Sequence, residues 1–147
     1  MSAVNHVGQV VADIGRSRAF YEALGFTFDR ELSLPDAVVG PFLGVEPPCG
    51  FTAVYLSLGD FQLELMVFAE GSRPPAAHRV FDEPGLTHLS ISVDDLPATT
   101  ARVTELGGTV VLSSRQATIV RDPDGQLVEL LPMAFYEGTR GGPGTRR

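Results

Sequence analysis

The chain lacks residue types that particular chemistries require. All 11 basic residues are arginine, so the sequence contains no lysine and a Schiff-base mechanism is excluded. The single cysteine, Cys49, cannot form an internal disulfide, and its place in a Pro-Pro-Cys-Gly loop predicts an incidental structural role. Any chemistry of this chain therefore depends on its other polar side chains.

The chain is also short of positive charge and of long apolar runs. Its net charge of −7 and pI near 4.8 argue against nucleic acid as a partner, because phosphate backbones bind clustered basic residues. No run approaches the roughly 18 apolar residues of a membrane span, and the N-terminus shows no signal-peptide pattern. We therefore expect a cytoplasmic protein without a membrane partner, and its 147 residues predict one compact domain.

The most informative stretch is residues 85–95, Gly-Leu-Thr-His-Leu-Ser-Ile-Ser-Val-Asp-Asp. Its alternation predicts a strand whose apolar face carries Leu89, Ile91 and Val93 and whose polar face carries His88, Ser90 and Ser92. Asp94 or Asp95 then supplies the N-cap of a helix over residues 96–106, which the glycines at 107 and 108 end. A histidine on the polar face of such a strand is able to reach a cavity.

The N-terminal part of the chain repeats this order. In both copies an aspartate follows the histidine by 7 positions and a glycine follows it by 19, giving His6, Asp13 and Gly25 in the first copy and His88, Asp95 and Gly107 in the second. Each copy also ends in a strand that carries one glutamate, Glu64 or Glu129. The chain is therefore predicted to be a tandem repeat.

The repeat predicts an α+β fold of two tandem βαβββ modules. Residues 1–137 form the domain, with module one at about 4–68, a linker at 69–86 and module two at about 87–132. Residues 34–50, which contain four prolines, are predicted to be a loop without regular structure, and residues 138–147 a disordered tail.

The matched histidines and glutamates form a candidate metal-ligand set. Taken singly, each residue is more often an ordinary polar strand residue than a ligand, but their recurrence at equivalent positions favours the functional interpretation. Nitrogen and oxygen ligands suit zinc, nickel, cobalt, manganese or ferrous iron, and the absence of thiolate argues against a closed structural zinc site. The third histidine, His78, lies in the linker and is predicted to be exposed.

Four stretches together resemble the vicinal oxygen chelate superfamily over roughly residues 4–132. They are His6 with Ser-Arg-Ala-Phe-Tyr-Glu-Ala-Leu-Gly-Phe, Phe-Gln-Leu-Glu-Leu, Thr-His-Leu-Ser-Ile-Ser-Val-Asp-Asp and Arg-Asp-Pro-Asp-Gly-Gln-Leu-Val-Glu-Leu. This superfamily includes glyoxalase I, methylmalonyl-CoA epimerase, extradiol dioxygenases and antibiotic-resistance proteins. The resemblance implies a half-open barrel around one divalent metal ion, within a homodimer, with His6, Glu64, His88 and Glu129 as ligands.

The resemblance also implies a reaction on a small-molecule substrate. In the glyoxalase I and epimerase branch a small carbonyl compound chelates the metal, and a proton moves through a metal-bound enediolate; Glu64 or Glu129 would be the catalytic base. The metal would then be nickel, zinc, cobalt or manganese. The alternatives are a ferrous extradiol-type dioxygenase and a non-catalytic binding or antibiotic-resistance protein. Retention of both glutamates favours the proton-transfer branch, because the dioxygenases generally lack a carboxylate at the position of Glu64.

The substrate pocket is expected to be lined by side chains that share strand faces with the four ligands. These side chains are Gln62, Met66, Ser90 and Ser92. Arg115 and Arg121 are candidates for holding an anionic group of the substrate.

Overall fold

A computed structural model describes residues 1–69 and 79–140 of the protein, with side chains described up to residue 137. The chain divides into two compact units, Met1–Ala76 and Ala77–Arg147. The first unit contains β1 (Val7–Val10), α1 (Ile14–Glu22), β2 (Thr27–Ser33), α2 (Asp36–Leu43), β3 (Thr52–Leu58) and β4 (Phe61–Val67). The second contains β5 (His88–Val93), α3 (Leu96–Glu105), β6 (Thr109–Ser113), β7 (Thr118–Arg121), β8 (Leu127–Pro132) and α4 (Met133–Arg140). The predicted α+β class and the two tandem βαβββ modules are confirmed.

The two sheets have the same topology. Their strand orders are β1-β4-β3-β2 and β5-β8-β7-β6, so the first strand of each module pairs in parallel with the last. The edge strands β2 and β6 each carry an irregularity at the same place, between Phe28 and Arg30 and between Val110 and Leu112. The repeat seen in the sequence therefore extends to the register of every strand pair.

Module one has two faces with different roles. One face is covered by α1, whose Phe20 and Tyr21 side chains are 0% exposed, and the Tyr21 hydroxyl donates a hydrogen bond to Gln9 on this face. Full burial of such a side chain contributes roughly 1.5–3 kcal/mol, so this face holds much of the core of the unit. The opposite face carries Glu64 and Met66.

The segment after β2 corrects the prediction for residues 34–50, which was wrong over α2. This short helix forms despite Pro41, and it ends at Gly44, whose φ of 66° is readily adopted by glycine. Val39 of α2 is 1% exposed and packs in a cluster with Cys49, Phe51, Ala53 and Tyr55. Tertiary packing of this apolar face therefore outweighs the local cost of proline, which composition alone cannot reveal.

The C-terminal end differs from its prediction as well. The backbone of residues 138–140 continues helix α4, which packs against β5 and β8, so the predicted tail does not begin at residue 138. The remainder of that tail, residues 141–147, lies outside the described residues, as do residues 70–78 of the linker, including His78. In the described ranges, no helix has the length and apolar character needed to cross a membrane.

Both predicted helix starts have aspartate caps. Asp13 Oδ1 accepts a hydrogen bond from the Arg16 amide at 2.8 Å, and Asp95 Oδ1 accepts one from the Ala98 amide at 2.9 Å. The choice between Asp94 and Asp95 is thereby decided for Asp95. These bonds satisfy amides that have no partner within the helix.

Replacing Asp95 with alanine is expected to lower the free energy of unfolding by about 1 kcal/mol, because the cap hydrogen bond is lost. The matched control is Asp94→Ala, which removes the neighbouring exposed carboxylate and is expected to change stability by less than about 0.5 kcal/mol. Urea unfolding followed by circular dichroism measures both. Equal losses in the two variants would contradict the assignment of the cap.

Candidate metal centre

In each module a histidine and a glutamate lie on one face of adjacent parallel strands. Gly8 is the register partner of Glu64, and Ser90 is the register partner of Glu129. The histidines, His6 and His88, stand two residues earlier in the chain and therefore on the same faces as these partners. We refer to His6 with Glu64 as the module-one pair and to His88 with Glu129 as the module-two pair.

Within each pair, the same two atoms of the histidine and the glutamate face each other. His6 Nε2 lies 3.1 Å from Glu64 Oε2, and His88 Nε2 lies 3.8 Å from Glu129 Oε2. Nitrogen and oxygen atoms bound to one ion at about 2.1 Å lie about 3.0–3.4 Å apart at octahedral or tetrahedral angles. The module-one pair has this spacing, and the module-two pair requires only a shift of a few tenths of an ångström.

The preceding residue holds each histidine ring. His6 Nδ1 lies 2.6 Å from Asn5 Oδ1, and His88 Nδ1 lies 2.8 Å from Thr87 Oγ1. When Nδ1 donates its proton to such an oxygen, the lone pair of Nε2 is directed at the carboxylate of the pair. A metal cation placed between this nitrogen and the carboxylate oxygen would bind to both atoms. Metal-binding histidines have the same arrangement, with one ring nitrogen on the metal and the other in a hydrogen bond.

The donor set therefore fits a divalent ion of the zinc, nickel, cobalt or manganese type. Each unit supplies two of the four predicted ligands. In the described part of either unit, no third His, Cys, Asp or Glu side chain completes a group that could hold a metal ion. The assignment of all four residues to one centre remains a prediction.

The two glutamates have different surroundings. The Glu64 side chain is 10% exposed, and its Oε1 accepts a hydrogen bond from the Tyr55 hydroxyl at 2.5 Å. The Glu129 side chain is 27% exposed, and its Oε2 accepts a hydrogen bond from the Ser90 hydroxyl at 2.6 Å. A Cβ atom at Gly8, the counterpart of Ser90, would lie 2.9 Å from Met66 Cε and 3.3 Å from Glu64 Oε2, so glycine leaves room for both side chains.

Tyr55 was not identified from the sequence, although the sequence contains a signal for it. The two-residue turn at Gly59 and Asp60 joins β3 to β4 and sets the hairpin register, so Tyr55 lies opposite Glu64. Burial and the hydrogen bond to Glu64 raise the pKa of the Tyr55 phenol above its ordinary value, while Arg30 opposes the shift. The phenol therefore keeps its proton at neutral pH and donates a hydrogen bond to Glu64.

The residues predicted to line the pocket make different contacts in the structure. Met66 and Ser92 share the strand faces of Glu64 and Glu129, respectively, and Met66 packs against the cluster that contains Tyr55. Gln62 donates a hydrogen bond to Asp29 Oδ2 at 2.8 Å and so supports β2. Ser90 binds Glu129, as described above.

The two candidate arginines are placed differently. Arg115 lies in the exposed turn between β6 and β7, outside both strands. Arg121 donates hydrogen bonds to the carbonyl oxygens of Gly125 and Arg79, at 2.9 and 3.0 Å. Its guanidinium therefore holds backbone of the linker and of module two, and a role in binding an anionic group stays a prediction for Arg115.

Phe81 is a further residue that the sequence did not indicate. Its ring centroid lies 4.9 Å from that of His88, and its side chain belongs to an exposed residue in the segment that precedes β5. The two rings are inclined to each other by 53° and lie in contact. The linker thus contributes directly to the surroundings of the module-two pair.

Comparisons with known proteins agree with the fold described above. The family model described as the Glyoxalase/Bleomycin resistance protein/Dioxygenase superfamily matches residues 3–130. No protein of curated function matches the chain by sequence.

Solved structures with a similar fold include a glyoxalase family protein from Bacillus cereus, with a TM-score of 0.78 and 17% identity over 90% of this chain and 94% of that one. They also include the trypanothione-dependent glyoxalase I of Leishmania major, with a TM-score of 0.65 and 22% identity over 91% and 88% of the two chains. A fosfomycin resistance protein from Mesorhizobium loti has a TM-score of 0.61 and 18% identity over 96% and 99%. At these identities the structures support the fold, and the reaction has to be argued from the site.

Proposed function

Because the chain belongs to the glyoxalase/bleomycin resistance protein/dioxygenase superfamily, we propose that it is a divalent-metal-dependent lyase or isomerase that moves a proton on a small carbonyl substrate. The observation that carries this proposal is the pair of matched His–Glu contacts, each with Nε2 facing a carboxylate and Nδ1 held by the preceding side chain. The proposal includes the homodimer and the cytoplasmic location that the sequence analysis predicts.

The four side chains would hold the ion, and each has a defined part. His6 and His88 would bind through Nε2, because Asn5 and Thr87 engage their Nδ1 atoms. When bound, a divalent ion polarises a carbonyl and stabilises negative charge on its oxygen, which lowers the barrier to removing a proton from the adjacent carbon.

Of the two glutamates, Glu129 is the better candidate for the base. Its side chain is more exposed than that of Glu64, and it lies farther from its histidine, so it has more freedom to turn toward a substrate. Its carboxylate would accept the proton from one carbon and return it to the neighbouring carbon. Glu64, held by Tyr55 and close to His6, would remain in place.

A ferrous dioxygenase is the second candidate, and two observations disfavour it. Glu64 lies beside His6, so module one has a His–Glu pair as module two does. The dioxygenases generally lack a carboxylate at the position of Glu64. The dioxygenases also resemble one another in having a tyrosine upstream of the last glutamate, which corresponds here to Ile119 or its neighbours, and the residue opposite Glu129 on β7 is Ile119.

The proposal is tested on protein purified without a chelator or a metal-affinity tag. We expect close to one equivalent of nickel, cobalt, zinc or manganese per chain by elemental analysis. We also expect exchange of the α-proton of a 2-oxoaldehyde–thiol adduct or an acyl-CoA thioester into deuterium oxide, followed by proton NMR. Removing the metal by dialysis against EDTA is expected to abolish exchange, and adding it back to restore it.

Two results would contradict the proposal. Failure to take up any of these ions on titration would show that the four side chains do not form a metal centre. Predominant ferrous iron together with oxygen consumption on catechol substrates would establish the dioxygenase alternative instead.

A further inference from the structure

The buried side chain of Tyr55 contacts both members of the module-one pair. Its hydroxyl donates to Glu64 Oε1 at 2.5 Å, and its ring meets the His6 imidazole edge-on, with centroids 5.5 Å apart. Tyr55 is 7% exposed and Glu64 is 8% exposed, so the hydrogen bond between them is shielded from water. Because the phenol engages Oε1, the other carboxylate oxygen, Oε2, is the one that faces His6.

A second group of contacts fixes the Tyr55 ring. The Arg30 guanidinium lies over the ring, 3.8 Å from its centroid. Arg30 Nη1 donates to Asp29 Oδ2 at 2.5 Å, and Gln62 Nε2 donates to the same oxygen at 2.8 Å. The irregularity in β2 at this point directs Asp29 toward Gln62 of β4, past the intervening strand β3. The Tyr55 ring on β3 is thus fixed by Arg30 of β2, and Arg30 is itself linked through Asp29 to Gln62 of β4.

Module two builds the same strands without these polar contacts. The register counterpart of Tyr55 is Ile119, which lies opposite Glu129, and the counterpart of Arg30 is Leu112. Since isoleucine and leucine suffice for the sheet at these positions, the fold does not require the tyrosine and the arginine. The presence of Tyr55 in module one is therefore explained by the Glu64 carboxylate that it contacts, and that of Arg30 by the Tyr55 ring that it covers.

From these contacts we propose that Tyr55 is a positioning residue for the metal centre, an inference that rests on the proposed function. Its hydroxyl holds the Glu64 carboxylate so that Oε2 stays beside His6 Nε2 before any ion is bound. Arg30 supports this role by fixing the ring. The module-one pair is thereby a preformed half of the centre, and the energetic cost of orienting a free glutamate side chain is avoided.

The test variant is Tyr55→Phe, which removes only the hydroxyl. The matched control is Tyr21→Phe, which removes the hydroxyl bonded to Gln9 at 2.9 Å on the opposite face of the same sheet. With nickel or zinc alone as the probe, we expect Tyr55→Phe to bind the ion about 10–100-fold more weakly than the unaltered protein by competition with a coloured chelator. Tyr21→Phe is expected to retain the original affinity.

A second measurement on metal-free protein at one fixed pH separates this inference from the proposed function. The chain has three histidines, so the Nε2 resonance of His6 in a ¹⁵N spectrum is assigned by its loss in His6→Ala. We expect this resonance to shift in Tyr55→Phe in the same direction as in Glu64→Gln, and to stay in place in Tyr21→Phe.

An unchanged His6 resonance in Tyr55→Phe overturns the positioning role, with or without a loss of metal affinity. If the unaltered protein binds no metal, the proposed function fails, and the resonance still decides whether Tyr55 orients Glu64.

Discussion

Replacing Glu129 with glutamine is expected to reduce α-proton exchange by on the order of 10²–10⁴-fold, the usual contribution of a positioned general base. The amide oxygen retains a lone pair for a metal ion, but an amide does not accept a proton at neutral pH. The rate is measured by proton NMR in deuterium oxide, with metal saturating and its content determined in the same sample. This design separates loss of the base from loss of the ion.

The matched control for this prediction is Glu64→Gln, the same substitution in the other module. Glu64 is held by Tyr55 and lies beside His6, so its replacement is expected to affect mainly the binding of the ion. At saturating metal, exchange in Glu64→Gln is expected to stay within about tenfold of the unaltered protein. The reverse result, with the large loss in Glu64→Gln, would assign the base to module one.

The second large effect is expected for the ligands themselves. Replacing His88 with alanine is expected to weaken metal binding by on the order of 10²–10³-fold and to abolish turnover at micromolar metal. The estimate divides about 10–16 kcal/mol, typical of a four-ligand structural zinc site, among four ligands. Isothermal titration with the metal alone measures the affinity, and circular dichroism establishes that the variant remains folded.

Two comparisons make this prediction specific. His6→Ala is expected to behave as His88→Ala does, because the two residues hold equivalent positions in the repeat. His78→Ala changes the remaining histidine, which the sequence places in the linker, and is expected to leave the affinity unaltered. Full metal occupancy in both His6→Ala and His88→Ala would show that the pairs are ordinary polar contacts.

The repeat made much of this architecture predictable from the sequence. Alternation from residue 88 onward gave the two faces of β5, and burial of Ile91 and Val93 agrees with it. The equal offsets from each histidine to its capping aspartate predicted equivalent helices in both modules. These features follow from local periodicity and hydrogen bonding, which a sequence displays directly.

Helix α2 was not predictable in the same way. The prolines and glycines of residues 34–50 indicate a loop, and the helix is stabilised by the burial of Val39 against residues from 10 to 16 positions farther along the chain. Local composition and long-range packing disagree here, and packing decides the outcome.

The sequence by itself determined the two modules, the family and the two His–Glu pairs as candidates, because the repeat places like residues at like positions. Only the tertiary structure decided how each pair is supported. The register set Tyr55 opposite Glu64 and Ile119 opposite Glu129, and the irregularity in β2 allowed Asp29 to hold both Arg30 and Gln62. Such support depends on which side chains meet across strands distant in sequence, so it differs between the modules although each has the same histidine and glutamate.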